Sequence, residues 1–412
     1  MALTVSVTML LSIRYFNATV SDVAERQTMF DYVTDIDRIV RYQYVGSIDE
    51  EKLRQSLGEG YVDGIGDPYA AYLSVEEYQV AQDLQKGKQN GFGVEIAQSD
   101  DGRIVVTRVH AYSTADKAGL QKGDIITAFN GREVKVRDYA SISRSLQTAS
   151  QVLMTVSRGE ETLAFEISTG SYDVASVEGE LLDGTVGYIR LYAIWDNTPE
   201  QFQTVYTRLG QEGATRYIFD LRDNTGGSAD AVNSLLSILV PSGAYAREKD
   251  KAGNLTYLHS EKGAAITVPC VTLVNATTAG EAELFAGVLQ ELGIASVVGE
   301  TTAGKGLIQR YFVNTDGSAV RISVAERMLI KGGAIEGVGI TPDETASLNG
   351  QLSLITPSED TPLQAALTRV KAIGNTAVTT PPTLVTRTDT TTTATDNQTT
   401  ATDNQTTATT AQ

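Results

Sequence analysis

The sequence predicts a multi-domain α/β protein, and three changes of pattern along the chain support this prediction. A region with apolar residues three and four positions apart, which is typical of helices, comes first. Short β-rich runs separated by Gly, Asp-Gly and Asn-Gly turns follow, and strands then alternate with helical stretches. With 412 residues, of which 41% are hydrophobic, the chain is long enough for two or three domains with buried cores.

The first 85 residues divide into an apolar start and a helical region. The opening run MALTVSVTMLLSI is shorter than the roughly 20 residues that a membrane-spanning helix needs. We interpret residues 1–20 as a signal peptide or membrane anchor, which predicts an extracytoplasmic protein, either secreted or membrane-anchored. A buried first helix is the alternative, because no basic residue precedes the run. Residues 21–85 are predicted to be helical, with Asp49 and Ser74 as helix caps.

The middle of the chain contains two regions with different strand patterns. Residues 86–170 are predicted to form a small β-rich domain from runs such as GFGVEIA, RIVVTRV and DIITAFNG. Residues 171–374 are predicted to form an α/β core. There the strand-like runs GYIRLYAI, RYIFDLR and CVTLVN alternate with helical runs such as SADAVNSLLSILV and AELFAGVLQELG.

Residues 375–412 are dominated by threonine and repeat TTATDNQ at positions 392–398 and 399–405. No apolar residue recurs in the pattern of a coiled coil, so this tail is predicted to be disordered. The whole chain has 33 Lys and Arg against 51 Asp and Glu, a net charge of −18. Because phosphate binding needs a positive surface, nucleic acid is excluded as an expected partner.

Few cysteines and histidines are present. The single cysteine, Cys270, excludes an intramolecular disulfide, and its apolar surroundings predict a core residue on a strand. Two histidines, His110 and His259, are too few for a His-rich metal centre and are predicted to lie at the surface or in turns. We therefore expect no cofactor and no metal site.

Several motifs follow one another in order through residues 30–345: GIGDPYAAYLSVEEY, GFGVEI, AGLQKGDIITAFNG, GYIRL, FDLRDNTGG, LVNATTAGEAELFAG, VVGETTAGKGLIQ and GVGITPD. This order resembles the carboxy-terminal processing, or tail-specific, peptidases. In that family a PDZ domain binds the carboxy terminus of a protein substrate, and a Ser/Lys hydrolase domain cuts the chain. The resemblance implies that residues 86–170 are the PDZ domain and residues 171–374 the peptidase core. It also implies protein or peptide tails as partners and a homodimer formed through the helical region.

The expected peptide-binding residues are Gly91, Phe92, Gly93 and Val94. Such a loop can turn successive backbone N–H groups toward a terminal carboxylate, while the adjoining strand edge pairs with the peptide. Glycine permits this close approach. An ordinary pair of turn glycines is the alternative for GFG alone, and the segment AGL followed by KGD adds support because it matches the PDZ pattern.

The segment GKGLIQ matches the family's general base and the residue that orients it, here Lys305 and Gln309. A lysine acts as a base only if burial lowers its pKa far below about 10.4, so the resemblance requires an interior amine. On a straight strand these positions would stand about 13 Å apart, whereas one helical turn brings them to about 5–6 Å. We therefore predict a local helical turn just after Gly304. A surface lysine is the alternative.

Gly226 and Gly227 follow the strand-like run RYIFDLR and precede a helical stretch. The resemblance implies that their backbone N–H groups, with that of Glu281, belong to an oxyanion hole. A tight strand-to-helix turn would use the same glycines. The carboxylate of Glu281 would oppose an oxyanion nearby, and it would equally suit the start of a helix.

The nucleophile position is occupied by a glycine. Aligning NATTAGEAELFAG with the family's motif, S-A-S-A-S-E or T-A-S-A-A-E, matches Glu283 to the glutamate and Gly280 to the attacking serine. The 25-residue interval from Gly280 to Lys305 is the one expected between serine and lysine. The nearby hydroxyls belong to Thr277, Thr278 and Ser228, of which Thr278 and Ser228 are poor substitutes. Two hypotheses remain, a serine-type endopeptidase with an unusual nucleophile and a catalytically silent PDZ protein that binds tails and regulates an active relative.

A phosphate-binding loop is the remaining alternative for the lysine segment. Residues 299–305 satisfy the spacing G-x-x-x-x-G-K after a strand-like run. However, Gly306 follows the lysine, where a nucleotide site needs Ser or Thr to hold Mg²⁺. The sequence therefore predicts no nucleotide binding.

Overall fold

The computed structural model describes residues 25–260 and 266–374, which form a multi-domain α/β protein as predicted. The predictions for residues 1–20 and for the tail at 375–412 lie outside the described residues. Within the described ranges, no helix has both the length and the apolar character that crossing a membrane requires.

The amino-terminal region is mainly helical, with α1 (residues 25–43), α2 (Glu50–Asp63), β1 (Ala71–Leu73) and α3 (Val75–Gln85). Both predicted caps are confirmed. The Asp49 side chain accepts the N–H of Lys52 at 3.1 Å, and Ser74 forms a capping box with Glu77. The helical prediction missed β1, which pairs antiparallel with residues 319–321 of the core strand Ala319–Leu329.

The β-rich domain is a sheet in the order β3-β4-β5-β7-β8, with β6 paired to β5. Because β3 lies at the edge of this sheet, one side of its backbone is open for pairing. Outside the sheet, β2 pairs with β9, so the chain enters and leaves the domain through two adjacent strands. The elements are β2 (Lys88–Gly91), β3 (Val94–Gln98), β4 (Ile104–Val109), α4 (Thr114–Ala118), β5 (Ile125–Phe129), β6 (Arg132–Glu133), a 3₁₀ turn (Val136–Asp138), α5 (Tyr139–Thr148), β7 (Gln151–Arg158), β8 (Glu161–Ser168) and β9 (Gly170–Asp173).

The α/β core is built on a sheet in the order β10-β11-β12-β15-β16-β19, parallel except for β10. Alternate residues of β12 face opposite layers: Tyr217 and Phe219 pack in the larger cluster with α6, α7 and α8, and Ile218 packs with α9. The elements are β10 (Val177–Leu182), β11 (Val186–Leu191), α6 (Thr198–Gln211), β12 (Arg216–Asp220), α7 (Ala229–Leu239), β13 (Gly243–Asp250), β14 (Leu255–Ser260), β15 (Cys270–Val274), α8 (Glu281–Glu291), β16 (Ala295–Gly299), β17 (Leu307–Val313), β18 (Ala319–Leu329), β19 (Glu344–Thr345) and α9 (Thr361–Ala372).

A second sheet, in the order β1-β18-β13-β14 with β17 paired to β18, lies beside this core. Three loops meet at the carboxyl ends of the parallel strands β12, β15 and β16, where open α/β sheets commonly bind ligands. The loops are joined directly, because Ala279 N–H donates to Asn224 O and Ala303 N–H donates to Thr278 O, each at 2.9 Å. This junction contains the predicted active-site residues of the core.

A buried ionic network fixes α9 to the sheet. The guanidinium of Arg222 donates to Asp220 at 2.6 Å and to Asp360 at 2.7 Å, and all three side chains are buried. Burial alone would raise the pKa of Asp220, but the adjacent Arg222 outweighs burial and holds this pKa below its ordinary value. Asp360 also caps α9 by accepting the N–H of Leu363 at 3.0 Å.

Candidate active site

Position 280 lies at a sharp turn immediately before α8. Gly280 is the N-cap of this helix, with φ 61° and ψ −122°. A Cβ placed there would lie 3.5 Å from Thr225 O and 3.8 Å from the Cα of Gly226, which is ordinary contact. Hydrolases often hold a nucleophile on such a strained strand-to-helix turn. The turn has room for a side chain, and the sequence supplies none.

The buried carboxylate of Glu283 connects this turn to the lysine loop. Its Oε2 accepts the N–H of Gly280 at 3.0 Å and the N–H of Lys305 at 2.7 Å. Its Oε1 accepts the N–H of Gly304 at 2.7 Å and the hydroxyl of Thr302 at 2.5 Å. The motif alignment matches Glu283 to the glutamate of the family's motif, and it assigns this residue no role. The sequence feature that indicates such a role is an acid at the third position of a helix, because its carboxylate can accept the backbone N–H of the N-cap residue.

The side chain of Lys305 is exposed, so the predicted interior amine is wrong for this structure. Gly304 and Gly306 on either side are buried against residues 335–339. The Nζ of Lys305 lies 5.9 Å from the centroid of the Tyr69 ring. Burial, together with the nearby Glu336, raises the pKa of Tyr69 above its ordinary value.

The predicted helical turn after Gly304 is also wrong. Residues 307–313 form β17, whose pairing with β18 is interrupted only by a bulge between Ile308 and Gln309. The amide of Gln309 donates to Leu307 O at 2.7 Å and to the hydroxyl of Ser323 at 3.4 Å. Among the described residues, no hydrogen bond joins this amide to the Lys305 side chain. The pairing of β17 with the distant strand β18 therefore keeps residues 307–313 extended.

Gly226 and Gly227 form the tight turn before α7, and both N–H groups have partners. Gly226 N–H donates to Oδ1 of Asn224 at 2.9 Å, and Gly227 N–H donates to Oε2 of Glu281 at 2.9 Å. Glycine is required at both positions. A Cβ on Gly226 would approach Glu281 Oε2 to 2.6 Å, and one on Gly227 would approach Ile194 O to 2.1 Å. Both loop amides expected in the oxyanion hole therefore already have acceptors. The Gly226 N–H donates within its own loop, and the Gly227 N–H donates to the Glu281 carboxylate.

Glu281 stands in the first turn of α8, where a carboxylate is favoured by the helix dipole. Its second oxygen, Oε1, lies 3.2 Å from Nη1 of Arg327. Nη2 of Arg327 lies 3.1 Å from Oε1 of Glu248, and the arginine side chain is only 3% exposed. No local sequence pattern indicated Arg327, because its two carboxylate partners come from distant segments.

The three candidate hydroxyls are all engaged elsewhere. Thr278 donates to Leu221 O at 2.9 Å, and Thr277 donates to Oδ1 of Asp223 at 2.8 Å. Ser228 donates to Oδ1 of Asp196 at 2.6 Å and caps α7. These contacts favour structural roles for the three residues.

The segment from Gly91 to Val94 lines a cavity of about 600 Å³ together with residues of α5 and α3. Phe92 is 2% exposed in the core of the β-rich domain, so it offers its backbone rather than its ring. Gly93 has φ 74°, and a Cβ there would lie 2.1 Å from Cβ of Ser113. The cavity adjoins the open edge strand β3, an arrangement in which a peptide can add as a further strand.

The remaining single-residue predictions are confirmed, and His110 lies in a turn, where its carbonyl oxygen accepts the N–H of Ser113 at 3.2 Å. Cys270 is buried on β15, and His259 is exposed. His110 is only 6% exposed, and its Nε2 lies 3.0 Å from Oε1 of Glu95. A carboxylate partner from the neighbouring strand allows this histidine to lie inside the domain.

Comparison with known proteins agrees with this architecture. Residues 185–346 match the profile of peptidase family S41, and residues 105–158 match that of a PDZ domain. The chain is 28% identical over 323 residues to the carboxy-terminal processing protease CtpA of Bacillus subtilis (strain 168), covering 77% of this chain and 69% of that protein. It is 27% identical over 324 residues to a probable CtpA-like serine protease of Staphylococcus aureus (strain COL), covering 77% of this chain and 65% of that protein.

Among solved structures, a putative S41 protease from Bacteroides fragilis NCTC 9343 shares the fold. It aligns with a TM-score of 0.56 at 18% identity, covering 77% of this chain and 90% of that one. The two matched segments lie within the β-rich domain and the α/β core described above. The chain therefore contains a PDZ domain and a core of peptidase family S41, and in this it is similar to the carboxy-terminal processing proteases.

Proposed function

We propose that this chain binds the carboxy-terminal tails of proteins through its PDZ domain and does not cleave them by a serine mechanism as the sequence stands. The observation that carries this proposal is Gly280 at the turn before α8, where a serine peptidase needs its nucleophile. Three further observations add support. The Lys305 side chain is exposed, and the Gln309 amide donates to Leu307 O rather than to a partner near Lys305. The Gly227 N–H already donates to the carboxylate of Glu281.

The expected loss of activity is large. Removing the nucleophile of a serine protease lowers turnover by about 10⁶-fold, and only binding and oxyanion stabilisation remain. Binding of tails does not depend on this residue, because the peptide groove belongs to a different domain. The proposed biological role is a silent relative that captures protein tails and regulates or competes with an active member of the family.

The test is incubation of the purified chain with unstructured polypeptides, followed by mass spectrometry of the products. We expect no cleavage by the chain as written and measurable binding of tail peptides. Gly280→Ser is the informative variant. If cleavage appears only with this substitution, the lack of activity in the unaltered chain is due to the glycine at position 280. Robust cleavage by the unaltered chain that disappears in Lys305→Ala would contradict the proposal.

The second candidate is the endopeptidase activity of the family, with Lys305 as general base and Gln309 orienting it. One specific observation favours it: the backbone around position 280 has the geometry of a nucleophile turn, and Glu283 holds the lysine loop against that turn. This candidate requires rotation of the Lys305 side chain toward position 280 and an unusual nucleophile. The incubation above distinguishes the two candidates.

A homodimer through α1 and α2 belongs to the same proposal. Both helices carry large apolar side chains that are more than 40% exposed in the described part of the chain, and a second copy would bury them. Sedimentation analysis of the full chain and of Ile39→Glu tests this, because the substitution should shift a dimer to monomer. The exposed residues are Phe30, Tyr32, Ile36, Ile39 and Tyr42 on α1, and Leu53, Leu57 and Tyr61 on α2.

We further propose an extracytoplasmic location, secreted or membrane-anchored. Its support is the apolar run at residues 1–13, which has the composition of a signal-peptide core. Fractionation of cells that produce the full chain tests this, and a purely cytoplasmic protein would contradict it.

A further inference from the structure

Glu281 has contacts that a helix-start acid does not need. One oxygen accepts the loop N–H of Gly227 at 2.9 Å, and the other lies 3.2 Å from the guanidinium of Arg327. Arg327 is 3% exposed, and its Nε is buried with no partner among the described residues. Two donors from separate elements, the loop before α7 and strand β18, therefore converge on one anionic group.

The donors are held in place independently of Glu281. The chain at Gly227 is fixed by a bridge to Ile194, and the next N–H, of Ser228, donates to Ile194 O at 2.6 Å. The backbone of Arg327 is fixed by its N–H, which donates to Gly306 O at 2.8 Å. Gly226 completes the site, because any side chain there would occupy the space of the carboxylate. A rigid loop amide and a buried guanidinium form a preorganised receptor for an anion.

We propose that the Gly227 amide and Arg327 form a binding site for a carboxylate, and that Glu281 occupies this site in cis. Only the identity of the natural ligand rests on the proposed function, and this ligand is a side-chain carboxylate of a bound polypeptide tail. While Glu281 is in place, an incoming carboxylate or carbonyl oxygen must displace it. The hydrolase site is thus closed by a side chain of its own helix.

Removal of the Glu281 carboxylate should open the site without unpairing the arginine. Glu248 remains 3.1 Å from Nη2 of Arg327 and keeps this buried charge compensated. Glu281→Ala is therefore expected to fold. Glu281→Gln, which keeps the shape and removes the charge, provides a second variant for the same measurement.

Acetate is the probe, and the Gly227 amide resonance in full-length, ¹⁵N-glycine-labelled protein is the readout. In Glu281→Ala we expect a saturable shift of this resonance at acetate concentrations at least tenfold lower than in the unaltered chain. Acetamide should cause no such shift. Adding Arg327→Lys to Glu281→Ala should weaken acetate binding at least fivefold. The exposed Glu160, far along the chain in the β7–β8 turn, serves as control, and Glu160→Ala should behave like the unaltered chain.

Equal responses of Gly227 in Glu281→Ala and in the unaltered chain would overturn the proposal, and so would the lack of a saturable shift in both Glu281 variants. The readout needs neither a bound peptide nor cleavage. If tail peptides fail to bind but acetate behaves as expected, the proposed function fails and the carboxylate site stands. If tail peptides bind but acetate does not, the carboxylate site is refuted and the proposed function stands.

Discussion

Lys305 donates its backbone N–H to the Glu283 carboxylate at 2.7 Å, and the same oxygen accepts the N–H of Gly280 at 3.0 Å. The lysine loop and the turn before α8 are therefore joined through backbone groups and one buried side chain. The Lys305 side chain takes no part in this connection. The frame of the site and the chemistry at position 305 can be tested separately.

Glu283→Gln should lower the free energy of unfolding of the core by about 1–3 kcal/mol. The substitution removes the charge that accepts three backbone N–H groups, and such buried donors are costly to leave poorly paired. Denaturant unfolding followed by fluorescence of the single tryptophan, Trp195, measures this change. Lys305→Ala is the matched control and should stay within about 0.5 kcal/mol. Equal stability of the two variants would show that Glu283 does not hold the frame.

Gly280→Ala should destabilise the core by about 1–2 kcal/mol, because an L-residue with φ near 61° is strained. Crowding adds little, since a Cβ there makes only ordinary contacts. Gly60→Ala in α2 is the control, because its surroundings are open and alanine favours a helix by about 0.5–1 kcal/mol. The two variants should shift the unfolding midpoint in opposite directions. A stabilising effect of Gly280→Ala would contradict the described turn.

The core should lose stability in acid through Asp220. Its folded pKa lies below its ordinary value, because Arg222 outweighs the effect of burial. The unfolded chain therefore binds this proton more readily, and the stabilisation present above about pH 4 is lost as the pH falls through the folded pKa. Denaturant unfolding at about pH 5 and about pH 3 measures the loss. Asp220→Asn should show a smaller difference between the two conditions, and an unchanged difference would assign the pH dependence to other groups.

Amidation of a tail peptide should weaken its binding at least tenfold. The N–H groups near Gly93 are proposed to bind the terminal carboxylate, so a neutral terminus loses a charge-assisted hydrogen bond of about 1.4 kcal/mol or more. Calorimetric titration of one peptide in its free-acid and amidated forms measures the ratio. Equal affinities would show that the groove does not recognise chain ends.

The repeating patterns of the sequence predicted the fold class, the two strand-rich regions and both helix caps. Local chemistry determines these features, as in the Ser74 capping box. Pairing between distant segments determines what was missed. Strand β1 exists because it pairs with β18, and Gln309 is extended because β17 pairs with the same strand. A contact between positions far apart leaves no local pattern to detect.

The candidate site, like the fold, was predicted from the sequence only in part. Gly280, Glu281 and the two loop glycines could be placed by alignment with the motifs. The exposure of the Lys305 side chain could not, because the loop around it is set by packing of Gly304 and Gly306 against the distant residues 335–339. Arg327 also escaped detection, since it lies 46 residues from Glu281 along the chain.

The pairing of β2 with β9 places Gly91 directly opposite Gly170. Topologically, the whole PDZ domain therefore occupies the position of a hairpin tip. A two-residue turn joining these glycines would close an ordinary β-hairpin and leave the remaining chain continuous. The PDZ domain can therefore be removed from the chain by one excision that cuts no strand of the parallel sheet of the core.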